Sequence, residues 1–125
     1  MTEQIRAPFA IWKIGEKEYK LKLKTSEIER LERQYGIGNI MNPMLSAGET
    51  QLPSLVYMLD IIHGAFQKYN HGYSRVDVSD LYDDYLDAGG NQTELIKVIM
   101  DIFRASGFFP SQSEKKREIQ TPQSE

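Results

Sequence analysis

"WKIGEKEYKLKLKT", residues 12–25, places five lysines in a chain whose formal net charge is −3. A stripe of cations is either a nucleic-acid contact or the wet face of a β-hairpin, and spacing separates the two. Tyr19, Leu21 and Leu23 alternate with Lys20, Lys22 and Lys24, the two-residue period of a strand with one buried face. Upstream, Ala10, Trp12 and Ile14 share a face. A two-residue turn at Gly15-Glu16 sets Trp12 opposite Tyr19 and Ala10 opposite Leu21, and Gly15 can take the positive φ that such a turn demands. The lysines then face water, where they also deter edge pairing. Binding of nucleic acid asks for a wider basic field with base-stacking aromatics. The spacing predicts a hairpin over residues 9–24.

Helical periods follow. In "TSEIERLERQYG", Ser26 and Glu29 have capping-box spacing, or Thr25 caps instead, and Gly36 supplies the stop. Ile28, Leu31 and Tyr35 form the apolar stripe of a helix near 26–35, which packs on the hairpin because two strands alone are not stable in water. "PSLVYMLDIIHGAFQKYNHG" predicts a central helix near 54–70, with Pro53 at its first turn and Val56 and Ile61 widening a stripe of Leu55, Met58, Ile62 and Phe66. A third helix is expected near 77–88, capped by Asp77 with Val76 and Leu81 as a staple. It turns Val78, Leu81, Tyr82 and Tyr85/Leu86 inward and its aspartates outward. Asn91 and Glu94 cap a fourth near 92–106. The fold class expected is therefore α+β: an N-terminal β-hairpin packed on a mainly α-helical domain of about four helices. That single domain spans 1–109, and the polar residues 110–125, with one large aliphatic side chain, are expected to form a disordered tail.

Between the first two long helices, "IGNIMNPMLSAGETQLP" holds Gly, Asn and Pro breakers and at most a short helical turn around 40–45. It is too apolar for a free linker. Methionine-rich surfaces repack readily around a partner. The partner-binding candidates are the apolar residues least needed for the core: Ile40, Met41, Met44, Leu45 and Leu52 of this loop, and the terminal Phe108 and Phe109.

Composition narrows the chemistry. A chain of 125 residues suits one domain. It has no cysteine, so disulfides and Cys-ligated zinc are excluded. No apolar run approaches the length of a membrane span, and the N-terminus lacks the apolar core of a secretory signal, which makes a cytoplasmic protein the default. Residues 1–24 hold six cations against three carboxylates, leaving −6 for the remainder. The acid is densest in "DVSDLYDDYLD" (77–87), which lacks the oxygen-ligand spacing of a calcium loop. His63 reads as a structural histidine and His71 as a solvated one; neither belongs to a hydrolase signature. "YGIGN" lacks the lysine and context of a phosphate loop. A binding protein without cofactor or metal is expected rather than an enzyme.

The order of "EYKLKLKTSEIERLERQYG", a Met/Leu loop, "LVYMLDIIHGAFQKYNHG" and "VDVSDLYDDYLDAGGNQTELIKVIMDIFRASGFF" resembles the tail assembly chaperones of siphophages and Gram-positive prophages, over roughly residues 9–109. The resemblance implies a protein of the host cytoplasm, absent from the mature virion, that coats the tape-measure protein and helps recruit tail-tube subunits. In lambda-like relatives a frameshifted longer product does the recruiting. It implies no membrane and no nucleic acid as partner, while the exposed apolar patches also suit a homo-oligomer. The alternatives are a head–tail connector or a nucleic-acid-binding regulator using the lysine face.

Overall fold

The computed structural model describes residues 7–36, 38–46 and 51–110. Strands β1 (Ala10–Ile14) and β2 (Lys17–Leu21) pair antiparallel in the expected register, with Ala10 opposite Leu21 and Trp12 opposite Tyr19. Gly15 takes φ 61° in the turn, a conformation that costs a side-chain-bearing residue. Five helices follow: α1 (Thr25–Tyr35), the short α2 (Asn42–Ser46), α3 (Leu55–Phe66), α4 (Arg75–Asp87) and α5 (Gln92–Ala105). The architecture is α+β, an N-terminal hairpin on a helical domain, and α2 is the short turn anticipated in the loop. Of the expected tail 110–125, residues 111–125 lie outside the described residues.

The hairpin presents Ala10, Trp12, Ile14 and Leu21 to the helices and its lysines to water. Trp12 is fully buried, with its ring 6.4 Å from Phe66 of α3 and 5.6 Å from Tyr85 of α4. Tyr19 stacks on the other side of this cluster, 5.5 Å from Phe66 and nearly parallel to it. Helix α3 carries the core: Met58, Ile61, Ile62, Ala65 and Phe66 have no exposed surface. It contacts α1, α4, α5 and β2, as expected of a helix apolar around most of its girth.

Backbone groups lock the hairpin onto this helix. Lys22 N–H donates to the Ala65 carbonyl (3.0 Å), one of the C-terminal carbonyls that a helix leaves unpaired. The next amide, Leu23 N–H, donates to Ser106 Oγ (3.0 Å) beyond α5, and Asn70 Nδ2 donates to the Lys20 carbonyl (2.8 Å). Two glycines sit at close approaches, tight at Gly64 and closed at Gly90. A methyl on Gly64 of α3 would stand 3.2 Å from Leu23 and from Leu31, and one on Gly90 would overlap the Tyr85 ring at 2.4 Å.

Four boundaries and orientations differ from the sequence reading. Helix α1 starts at Thr25 with Lys24 as its cap, and neither Thr25 nor Ser26 caps it; the Lys24 carbonyl accepts from Glu27 and Ile28 instead. Helix α4 starts two residues early, at Arg75. Ser74 and Asp77 exchange reciprocal side-chain-to-backbone bonds, a capping box that satisfies two N–H groups where Asp77 alone would satisfy one. Val76 is thereby in the first turn and exposed rather than a staple. Helix α3 ends at Phe66 and not near 70, where the Asn70 side chain is drawn to β2. Val56 and Leu86 lie outside the apolar stripes and are exposed.

The Trp12 indole N–H finds no acceptor among the described residues. A buried donor without a partner costs about 1–3 kcal/mol, so the residue is retained for its packing. Trp12→Ala should destabilise by about 3–5 kcal/mol in denaturant unfolding. Trp12→Phe, which removes the unpaired donor along with part of the ring, should cost much less; equal losses would contradict this.

Candidate interaction surface

The apolar segment before α3 divides into an anchor and a display. Ile40 is fully buried in the core. Its carbonyl accepts a hydrogen bond from the Tyr57 hydroxyl of α3, and the Tyr57 ring lies 5.9 Å from Tyr35 of α1, edge to face. Asn39 Oδ1 accepts from Met41 N–H (2.8 Å), which starts the turn leading into α2. Met41 and Met44 are half-buried against the core, spaced as neighbours on one helical face. Leu45, one residue on, is 62% exposed.

After residues 47–50, which lie outside the described residues, Leu52 is 46% exposed and Val56, in the first turn of α3, 63% exposed. Pro53 between them is buried, and its carbonyl accepts from Gln92 Nε2 of α5 (3.2 Å). The Ser54 hydroxyl caps α3 by accepting from Tyr57 N–H (3.0 Å). The backbone between the exposed leucine and valine is therefore held at Pro53 and Ser54 while their side chains face solvent.

Of the seven residues singled out from sequence, only Leu45 and Leu52 are largely solvent-exposed. Ile40 is an anchor. Phe108 and Phe109 are half-buried against the core: the Phe108 ring lies 4.8 Å from Phe103, and its N–H donates to the Phe103 carbonyl (3.1 Å). Val56, read from sequence as part of the central stripe, belongs with the exposed residues instead.

Apolar periodicity does not single out Asp60, a carboxylate within the otherwise apolar α3. It joins three helices. Its Oδ1 accepts from Arg75 Nε of α4 (2.7 Å), and its Oδ2 accepts from the Tyr35 hydroxyl (2.5 Å) and Gln34 Nε2 (3.4 Å) of α1. Arg75 is held in turn by Ser79 Oγ (2.8 Å). Burial, and then the bond to Asp60, push the Tyr35 hydroxyl well above its ordinary pKa of 10.0. A lone carboxylate in an otherwise apolar helix was the available signal, since such a group needs partners to be kept.

His63 Nε2 donates to the Tyr73 carbonyl (3.2 Å), a structural bond, and His71 is exposed. Among the described residues no three metal-ligating side chains converge, and no helix is long and apolar enough to cross a membrane.

A family model matches residues 5–124. The chain belongs to DUF6096, a family of unknown function. No curated protein and no solved structure matches it. What this DUF6096 member does is therefore argued from its surface.

Two outcomes test the anchor and the hub. Burial raises the Tyr57 hydroxyl far above 10.0 as well, so the protonated form stabilises the fold. This stability is complete below about pH 10 and is lost as pH rises through the higher folded-state value. Tyr57→Phe should cost about 1 kcal/mol and speed amide exchange at Met44 and Leu45, whose N–H groups bond within the anchored turn. Asp60→Ala, which strands Arg75 and Tyr35, should cost about 2–3 kcal/mol. Neutral effects on unfolding would show that neither bond holds the helices.

Proposed function

We propose that this protein is a phage tail assembly chaperone that shields the tape-measure protein in the host cytoplasm and leaves before the virion is complete. The observation that carries this reading is the outward display of Leu45, Leu52 and Val56 close to backbone that is bonded to the core at Ile40, Pro53 and Ser54. Large apolar side chains held outward are an energetic liability unless a client covers them. A long, partly apolar helical client has the complementary need, and an amphipathic helix docks through anchors spaced i, i+3/i+4 and i+7. The half-buried Met41 and Met44 beneath this display lend it adaptability. Resemblance of the hairpin–helix order to the tail chaperones supports the same client. Recruitment of tail-tube subunits, through a longer frameshifted product, belongs to the same proposal.

Co-expression with the tape-measure protein of the same phage or prophage should keep that client soluble and give a complex that co-elutes in size-exclusion chromatography. Leu45→Asp with Leu52→Asp should weaken it by at least about tenfold, with unfolding unchanged, because both side chains are exposed. Met41→Asp with Met44→Asp should also weaken it, at some cost in stability. Failure of the unmodified protein to co-elute or to solubilise the client would refute the proposal, as would its presence in purified virions. Undiminished binding by both pairs would remove residues 41–52 from the interface.

A further inference from the structure

Two other surfaces stand apart from that display, and their charges are complementary. One is an open groove of about 530 Å³ between the hairpin turn and the C-terminal half of α4. Ile14, Tyr19 and Leu81 supply apolar lining, and Glu16, Asp84 and Asp87 are its exposed carboxylates. Among the described residues none of these three carboxylates is in an ion pair. Lys17 also lines the groove, so its charge is net acidic but not uniform.

The second surface is the outer face of the hairpin. Ile11, 36% exposed, lies directly across from Lys20, with Lys13 two residues along β1 and Lys22 two residues along the chain from Lys20. Glu18 pairs across from Lys13 at the turn end, leaving the cations in excess. Lys20 Nζ rests 4.8 Å over the Phe9 ring and 5.8 Å from that of Tyr69, and among the described residues it is in no ion pair. An apolar side chain flanked by cations thus faces one way, and an apolar hollow flanked by carboxylates faces another.

One copy cannot bring them together. Successive strand residues point to opposite faces, so Ile11, Lys13 and Lys20 leave the sheet on the side away from Ile14 and Tyr19. We infer that the Ile11–lysine face of one copy docks into the acid-rimmed groove of a second copy, giving head-to-tail self-association. Ile11 covers the apolar lining, the lysine stems extend over it, and their ammonium groups reach Glu16, Asp84 and Asp87. Because each copy offers both surfaces and uses each once, the contact is heterologous and propagates as a ring or an open filament. The charges are exposed, so salt weakens the contact. Nothing in this inference depends on the identity of the client.

Sedimentation of the full-length protein across concentration tests it. At low ionic strength the unmodified chain should associate with rising concentration, and added salt should return it to monomer. Lys13→Glu with Lys20→Glu, and separately Asp84→Lys with Asp87→Lys, should each abolish association, with the near-ultraviolet signature of buried Trp12 confirming the fold. An equimolar mixture of the two variants should associate again, since each then offers the charge that the other lacks. A chain that stays monomeric at low salt would overturn the inference. So would association that survives both reversals, or a mixture that fails to recover it.

Discussion

The Trp12 indole leaves a two-stranded sheet and ends with no exposed surface between Phe66 of α3 and Tyr85 of α4. A hairpin of this size has too little area to stand alone, so its inner face must find helices, and this aromatic contact decides which ones. Once Trp12 is seated, the next residues have nowhere else to go. Lys22 and Leu23 meet the Ala65 carbonyl and the Ser106 hydroxyl, and α1 is delivered against α3 at Gly64, where a side chain would crowd Leu23 and Leu31. Gly90 lets Tyr85 lie flat against the turn before α5, which completes the pocket for the indole. Packing at this level of closeness explains why an unpaired indole N–H is tolerated at the centre.

The same core explains why apolar side chains remain outside it. Ile40 and Tyr57 fix the start of the α2 segment, and Pro53 and Ser54 fix the start of α3. Close to these fixed points Leu45, Leu52 and Val56 keep their side chains in solvent. They are presented, not merely left over. Asp60 performs a related task at the next turn of α3: by engaging Tyr35 and Arg75 it ties α1 and α4 to the helix that carries Val56. The helix that carries Val56 is therefore held by two others, which lowers the entropy lost there when a client binds.

Much of this was legible in the sequence because the periods were strong. Alternation of Tyr19, Leu21 and Leu23 with lysines specified the hairpin, and the turn at Gly15 specified its register. What the sequence left hidden was tertiary. Ser74 competes with Asp77 as a helix cap, and only the reciprocal bond between them shows why the earlier start wins. Val56 has the spacing of a core residue, yet α3 is enclosed on fewer sides at its first turn than at its last. Ile40 and Leu45 are equally apolar in sequence, and the Tyr57 hydroxyl bond separates anchor from display. Asp60 was visible as an oddity, but its three partners come from two helices far along the chain in either direction.

Hydrogen exchange of the full-length protein, with and without the proposed tape-measure client, tests the central claim most directly. Slowed exchange concentrated in α2 and the first turn of α3, with the centre of α5 unchanged, is the result predicted. Exchange that is identical in the two samples, or protection confined to surfaces remote from Leu45, Leu52 and Val56, would contradict it.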